Sequence, residues 1–133
     1  MSLALIRKGM ADNLGEIAGI RVYEEVPDNP VMPCALIFLE RATYNESFAR
    51  GLTLYEFSVR VIVTRVTERR AQRRLDEFID NSANSLKTAL ESDIRLDGAA
   101  FDTTVTSLSA VGSVTIGETT YLAATFEVTV HAL

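Results

Sequence analysis

Three kinds of residue in this chain could do chemistry. They are one histidine, His131, one cysteine, Cys34, and the arginines at 69, 70, 73 and 74. A histidine base needs a hydroxyl or thiol to activate and a carboxylate to orient it, and no such set can be assembled around His131. It is read as a solvated residue on the polar side of a strand. Cys34 lies in the apolar run VMPCALIFLE with no second soft ligand near it in the sequence, which predicts a reduced, buried thiol. Glu24 and Glu25 are adjacent, so on a strand they point to opposite faces and cannot form an acid/base pair. The glycines at 9, 15, 19, 51, 98, 112 and 117 fit neither GxGxxG nor GxxxxGK[ST]. The expectation is a protein that is not an enzyme and has no catalytic residue, cofactor or metal.

The arginines raise a different question. They fall in YEFSVRVIVTRVTERRAQRRLD, residues 55–76, where an alternating strand pattern runs into the first turns of a helix. Binding of phosphates by charge alone needs a cationic footprint, whereas this chain carries a net charge of -5. Positive charge in a helix's first turn also opposes the macrodipole, so local stability does not account for Arg69 and Arg70. Arg73 and Glu77 are spaced for an i, i+4 ion pair, and Asp76 and Asp80 for the repulsive equivalent. Arginine makes up eleven of the thirteen basic residues, and its planar fork suits protein interfaces. Carboxylates on another copy of the same chain would give a head-to-tail contact, which closes into a ring when the rotation permits.

The elements that position these residues follow from periodicity. Leu3, Ile6, Met10, Leu14 and Ile17 predict an amphipathic helix over 3–17, with Ser2 as its N-cap and Gly19 as its stop. IRVYEEV (20–26) reads as a short strand, and PDNPVMP, with three prolines, as a stiff loop. The run ALIFLE (35–40) predicts a strand covered on both faces, and 42–52 a loop or hairpin tip carrying Tyr44 and Phe48. From Thr53 to Val66 the odd positions Tyr55, Phe57, Val59, Val61 and Val63 are apolar, giving a strand of roughly 46 Å at about 3.3 Å per residue. So long a strand is expected to overhang the domain and to be available for pairing between subunits.

After Thr67, a candidate N-cap, the stripe Ala71, Leu75, Phe78, Ile79, Leu86, Leu90 predicts helix to about Glu91, broken at DNSANS (80–85). The segments 103–111, 113–116 and 121–133 return to strand patterns around a GETT turn. In the last of them Leu122, Ala124, Phe126, Val128 and Val130 face the core. The fold class is α+β: a mainly antiparallel sheet with an N-terminal helix and a central, interrupted helix packed on one face. Its 133 residues fit a single domain, 1–133. The N-terminus lacks signal-peptide order and no apolar run is long enough to span a bilayer, so no membrane partner is expected and folding is placed in the cytoplasm.

The run YNESFARGLTLYEFSVRVIVTRVTERRAQRRLDEFID, with SLKTALESDIRLDGAAFDTTVTSLSAVGSVTIGETTYLAATFEVTVHAL after it, resembles the tail terminator (tail completion) proteins of long-tailed bacteriophages, prophages and gene transfer agents. The likeness covers residues 3–133 and lies in the order of features. These are an N-terminal helix, a GIRVY strand, a proline loop, an F-x-R-G-L segment, a long strand, an Ala/Arg-rich helix, a Ser-x-K-x-A-L-E helix and a closing hairpin with Tyr121-Leu122. The resemblance implies a virion protein, assembled in the host bacterial cytoplasm. It would form a ring, commonly hexameric, on the head-proximal end of the tail tube, stopping tube growth and offering the head-joining surface. Its partners would be other copies of itself, the tail tube protein and the head-tail connector, with genomic DNA only as cargo passing through the lumen. On this reading Arg69, Arg70 and Arg73 lie at the subunit interface, and Tyr44, Phe48 and Arg50, with the overhanging strand, contact tube or connector. A connector or neck component of the same particle is the next reading, and a nucleic-acid-binding regulator the third. DNSANS stands where the family has a Gly/Pro-rich break.

Overall fold

The computed structural model describes residues 3–15, 17, 20–24, 33–44, 53–65, 71–80, 85–96, 98, 100 and 102–132. The elements are α1 (Leu3–Leu14), β1 (Arg21–Tyr23), β2 (Cys34–Thr43), β3 (Thr53–Arg65), α2 (Ala71–Ile79), α3 (Leu86–Leu90), β4 (Asp102–Ile116) and β5 (Thr119–Ala132). The sheet has five strands in the order β1-β2-β3-β5-β4, parallel between β1 and β2 and antiparallel elsewhere. This is the expected α+β architecture.

Alternation decides which side of the sheet the helices cover. Ala35 and Ile37 of β2, Phe57, Val59, Val61 and Val63 of β3, and Leu122 to Val130 of β5 at even positions form one buried layer. The helices complete this core with Ile6, Met10 and Leu14 from α1, Leu75 and Phe78 from α2, and Leu86 and Leu90 from α3. Fully burying a side chain of this size contributes about 1.5–3 kcal/mol, so this layer is the main source of stability. The other face is two-toned. At one end Cys34, Leu36, Ile62 and Ala123 are buried beneath Tyr23, Phe38, Val114 and Tyr121, and the rest, apart from Leu54, is polar.

Several expectations need correction. The long strand does not overhang: β3 is central, paired with β2 from Leu54 to Ile62 and with β5 from Thr53 to Arg65. Its length is matched by β4 and β5, of 15 and 14 residues, and among the described residues it is paired on both sides from Leu54 to Ile62, while residues 63–65 have no partner on the β2 side. The two strands expected at 103–111 and 113–116 are one strand, β4, interrupted by register shifts at Val105/Ser107 and Ser109/Gly112. It turns back at Gly117-Glu118, where Gly117 has φ +64°, a conformation costly for a side chain with a Cβ. Strand β2 is covered on both faces only from Cys34 to Ile37, and it runs on to Thr43 through residues expected in the loop.

The N-terminal helix ends at Leu14, with the Gly15 amide bonded back to the Ala11 carbonyl, three residues short of the expected end. The central helix is in two pieces as expected, and Ser85, the last residue of DNSANS, caps α3 by accepting from the Thr88 amide. Ser2, Gly19, Thr67 and residues 81–84 lie outside the described residues.

Between α1 and the turn after α3 the packing is backbone-close. Leu96 adopts φ +50° while its side chain is buried, and Gly9 faces it so tightly that a Cβ there would lie 2.6 Å from the Leu96 Cβ. Nearby, buried Asn13 donates from Nδ2 to the Leu90 and Asp93 carbonyls, tying α1 to the end of α3 and to the turn after it. Gly9 therefore weakens helix propensity to permit a contact. Gly9→Ala should lower the unfolding free energy by about 1–3 kcal/mol in denaturant titration, because overpacking outweighs the gain of about 1 kcal/mol in propensity.

Candidate functional site

Strand β3 places Glu56, Ser58 and Arg60 on the face without helices, and β5 sets Thr129, Glu127 and Thr125 opposite them in register. On β2 the register shifts between Leu39 and Arg41, so Glu40 is the extra residue of a bulge and its side chain is re-aimed. Glu40 accepts a hydrogen bond from the Ser58 hydroxyl, and Arg41, directly across from Glu56, pairs with it at 3.4 Å. On the far side Glu127 accepts from the Ser107 hydroxyl. Glu40, Arg41, Glu56, Ser58, Arg60 and Glu127 line an open trough of about 530 Å³, completed by Thr106, Ser109, Thr125 and Thr129.

The charges in the trough are of both signs. Glu40 and Glu127 take hydroxyl donors but no cation among the described residues, and exposed Arg60 has no ion-pair partner there. A surface of this kind presents hydrogen-bond donors and acceptors to a polypeptide, with two carboxylates open to an incoming cation. The alternation that puts these residues on one face is legible in the sequence, but the concavity depends on a bulge and on strand order, which it does not display.

Of the arginine group, Arg73 and Arg74 are carried by α2, which packs on the opposite side of the sheet. Arg73 is exposed and has no partner among the described residues. The expected pair of Arg73 with Glu77 is not formed: Glu77 pairs with Arg74 at 3.5 Å, and the Arg74 guanidinium also lies 4.9 Å from the Phe78 ring centre. That stacking draws Arg74 toward the core edge and puts it, rather than Arg73, within reach of Glu77. Asp76 accepts from Gln72 instead of simply opposing Asp80. Arg69 and Arg70 lie outside the described residues.

Tyr44, just past β2, is 69% exposed, as suits a contact residue, while Phe48 and Arg50 lie outside the described residues. His131 is half-buried, in register with Leu54 on one side and Asp102 on the other. No group of three His, Cys, Asp or Glu side chains among the described residues is placed to hold a metal ion. No helix among them is long and apolar enough to cross a membrane. No known family model matches the chain, and no curated protein matches it.

Cys34 lies under the apolar end of the bare face, fully buried, and burial pushes its thiol up to about 11 from an ordinary 9.0. The thiol is held protonated and unreactive at neutral pH. A raised pKa in the folded state means its contribution is complete below pH 9 and is lost as pH climbs through about 11. The stability advantage of wild type over Cys34→Ala should therefore shrink by on the order of 2 kcal/mol across that window, measured by denaturant titration at stepped pH.

Proposed function

We propose that this chain is a tail terminator of a long-tailed phage or prophage, a ring subunit that ends tube growth and receives the head connector. The observation that carries the reading is the placement of unlike surfaces on opposite sides of one sheet. Exposed Arg73 on α2 lies on the helix side, and Glu40 and Glu127 line the trough on the bare side. Two identical surfaces cannot satisfy both at once, so the complementary contact is head-to-tail and propagates around a ring. The order of sequence features shared with tail terminators supports the same reading.

In this arrangement Arg70 and Arg73 of one subunit meet the trough of the next, while Tyr44 and the residues after it contact tube or connector. The ring then surrounds the channel through which the genome passes. Loss of the chain should give tails of uncontrolled length that fail to join heads, scored by electron microscopy of lysates. Arg70→Glu/Arg73→Glu should keep wild-type circular dichroism and fail to restore normal tails. Normal tails without the chain would overturn the function, and full rescue by the double variant would overturn the interface.

A further inference from the structure

Strand β4 is one of the sheet's two edges, and the two are protected very differently. At β1 the edge is three residues long, begins at exposed Arg21 and is followed by exposed Glu24, whose carbonyl accepts from Arg7. Short length and charge are the usual protections against strand addition. The start of β4 is also covered: the Glu91 carboxylate accepts the Val105 amide, and the Thr103 hydroxyl bonds the Ile94 carbonyl. Beyond Val105 no such cover is present among the described residues. From Thr103 to Gly117 the sequence contains no Asp, Glu, Lys, Arg, His or Pro. The two bulges interrupt the strand up to Gly112, and from Gly112 to Ile116 its pairing with β5 is regular. These five residues form a regular edge without a gatekeeping charge.

We infer that the Gly112–Ile116 edge pairs with the same edge of a second copy of this chain, antiparallel, about a two-fold axis through Val114. The residue types are self-complementary in that register. Val114 meets Val114, and exposed Ser113 faces exposed Thr115 twice, both favourable cross-strand pairs. Val114 packs against the apolar end of the bare face, so pairing makes the two apolar strips continuous across the axis. The nearest charge along the strand, Glu118, is set about 26 Å from its counterpart, beyond the Debye length of about 10 Å, so the acidic chains meet along a stretch of edge without charge. This contact joins like surfaces. It is separate from the head-to-tail contact and does not rest on the phage reading.

Charge placed at the facing positions tests it. Ser113→Lys/Thr115→Lys and Ser113→Glu/Thr115→Glu each set two like-charged pairs across the axis, and a mixture sets two opposite-charged pairs. Sedimentation of the full chain at roughly 100 µM should show that either variant has half the wild-type mass, with dimerisation weakened about tenfold or more. Mixing the two should restore the wild-type mass. Pairing doubles whatever unit is present, a chain or a ring, so halving reports this edge whether or not rings form. An unchanged mass in both variants overturns the proposal. So does a wild type that is monomeric at every concentration, which would leave the edge to a strand of another protein. Variants that are monomeric and folded by circular dichroism but do not recover on mixing overturn the register.

Discussion

The alternating burial of β3 is the constraint on which the rest of the structure depends. Phe57, Val59, Val61 and Val63 are all within about one per cent of complete burial, and a one-residue slip would send them to the bare face. Because β3 is central, its register fixes β2 on one side and β5 on the other, and through β5 it fixes β4. The helices then have only one apolar surface on which to settle. The trough, the covered thiol and the arginine-bearing helix are each placed by that single choice of register.

The bare face shows how a small domain divides its polar and apolar needs. One end is closed over by Tyr23, Phe38, Val114 and Tyr121, which keep Cys34 and Ile62 from water. The other end spends its hydroxyls on carboxylates, with Ser58 on Glu40 and Ser107 on Glu127. Such bonds orient the carboxylates without neutralising them, since a hydroxyl donates a proton's partial charge and not a full one. A neighbour's guanidinium could therefore still meet a full charge there.

Much of this was legible in the residues. Period-two runs located β3 and β5, period 3.6 located the helical stripe, and the cappers in DNSANS marked the division between α2 and α3. What escaped depends on distant partners. Strand length in β3 looked like an overhang because the sequence does not show that β5 returns between β3 and β4. The reason for Gly9 inside a helix is hidden because Leu96, which approaches it, is far along the chain. The pairing of Glu77 falls to Arg74 rather than Arg73 because Arg74 is held over the Phe78 ring, which the i, i+4 spacing does not display. Of the contact residues named from sequence, Arg73 and Tyr44 are exposed as a contact requires, but no spacing rule reveals the trough across four strands.

Strand order also sets the timing of folding. Strand β5 follows both of its neighbours in the chain, yet it lies between them, and β3 and β4 do not pair with each other. While the chain is being synthesised, β3 can pair with β2 but has one side open, and β4 has no partner at all. The sheet becomes continuous only when β5 has emerged and inserted, a step that closes contacts between residues more than sixty positions apart, such as Tyr55 with Val130. Until then the open side of β3 and a β4 without charge from Thr103 onward are exposed together, which makes the nascent chain most prone to aggregation just before its sheet is completed.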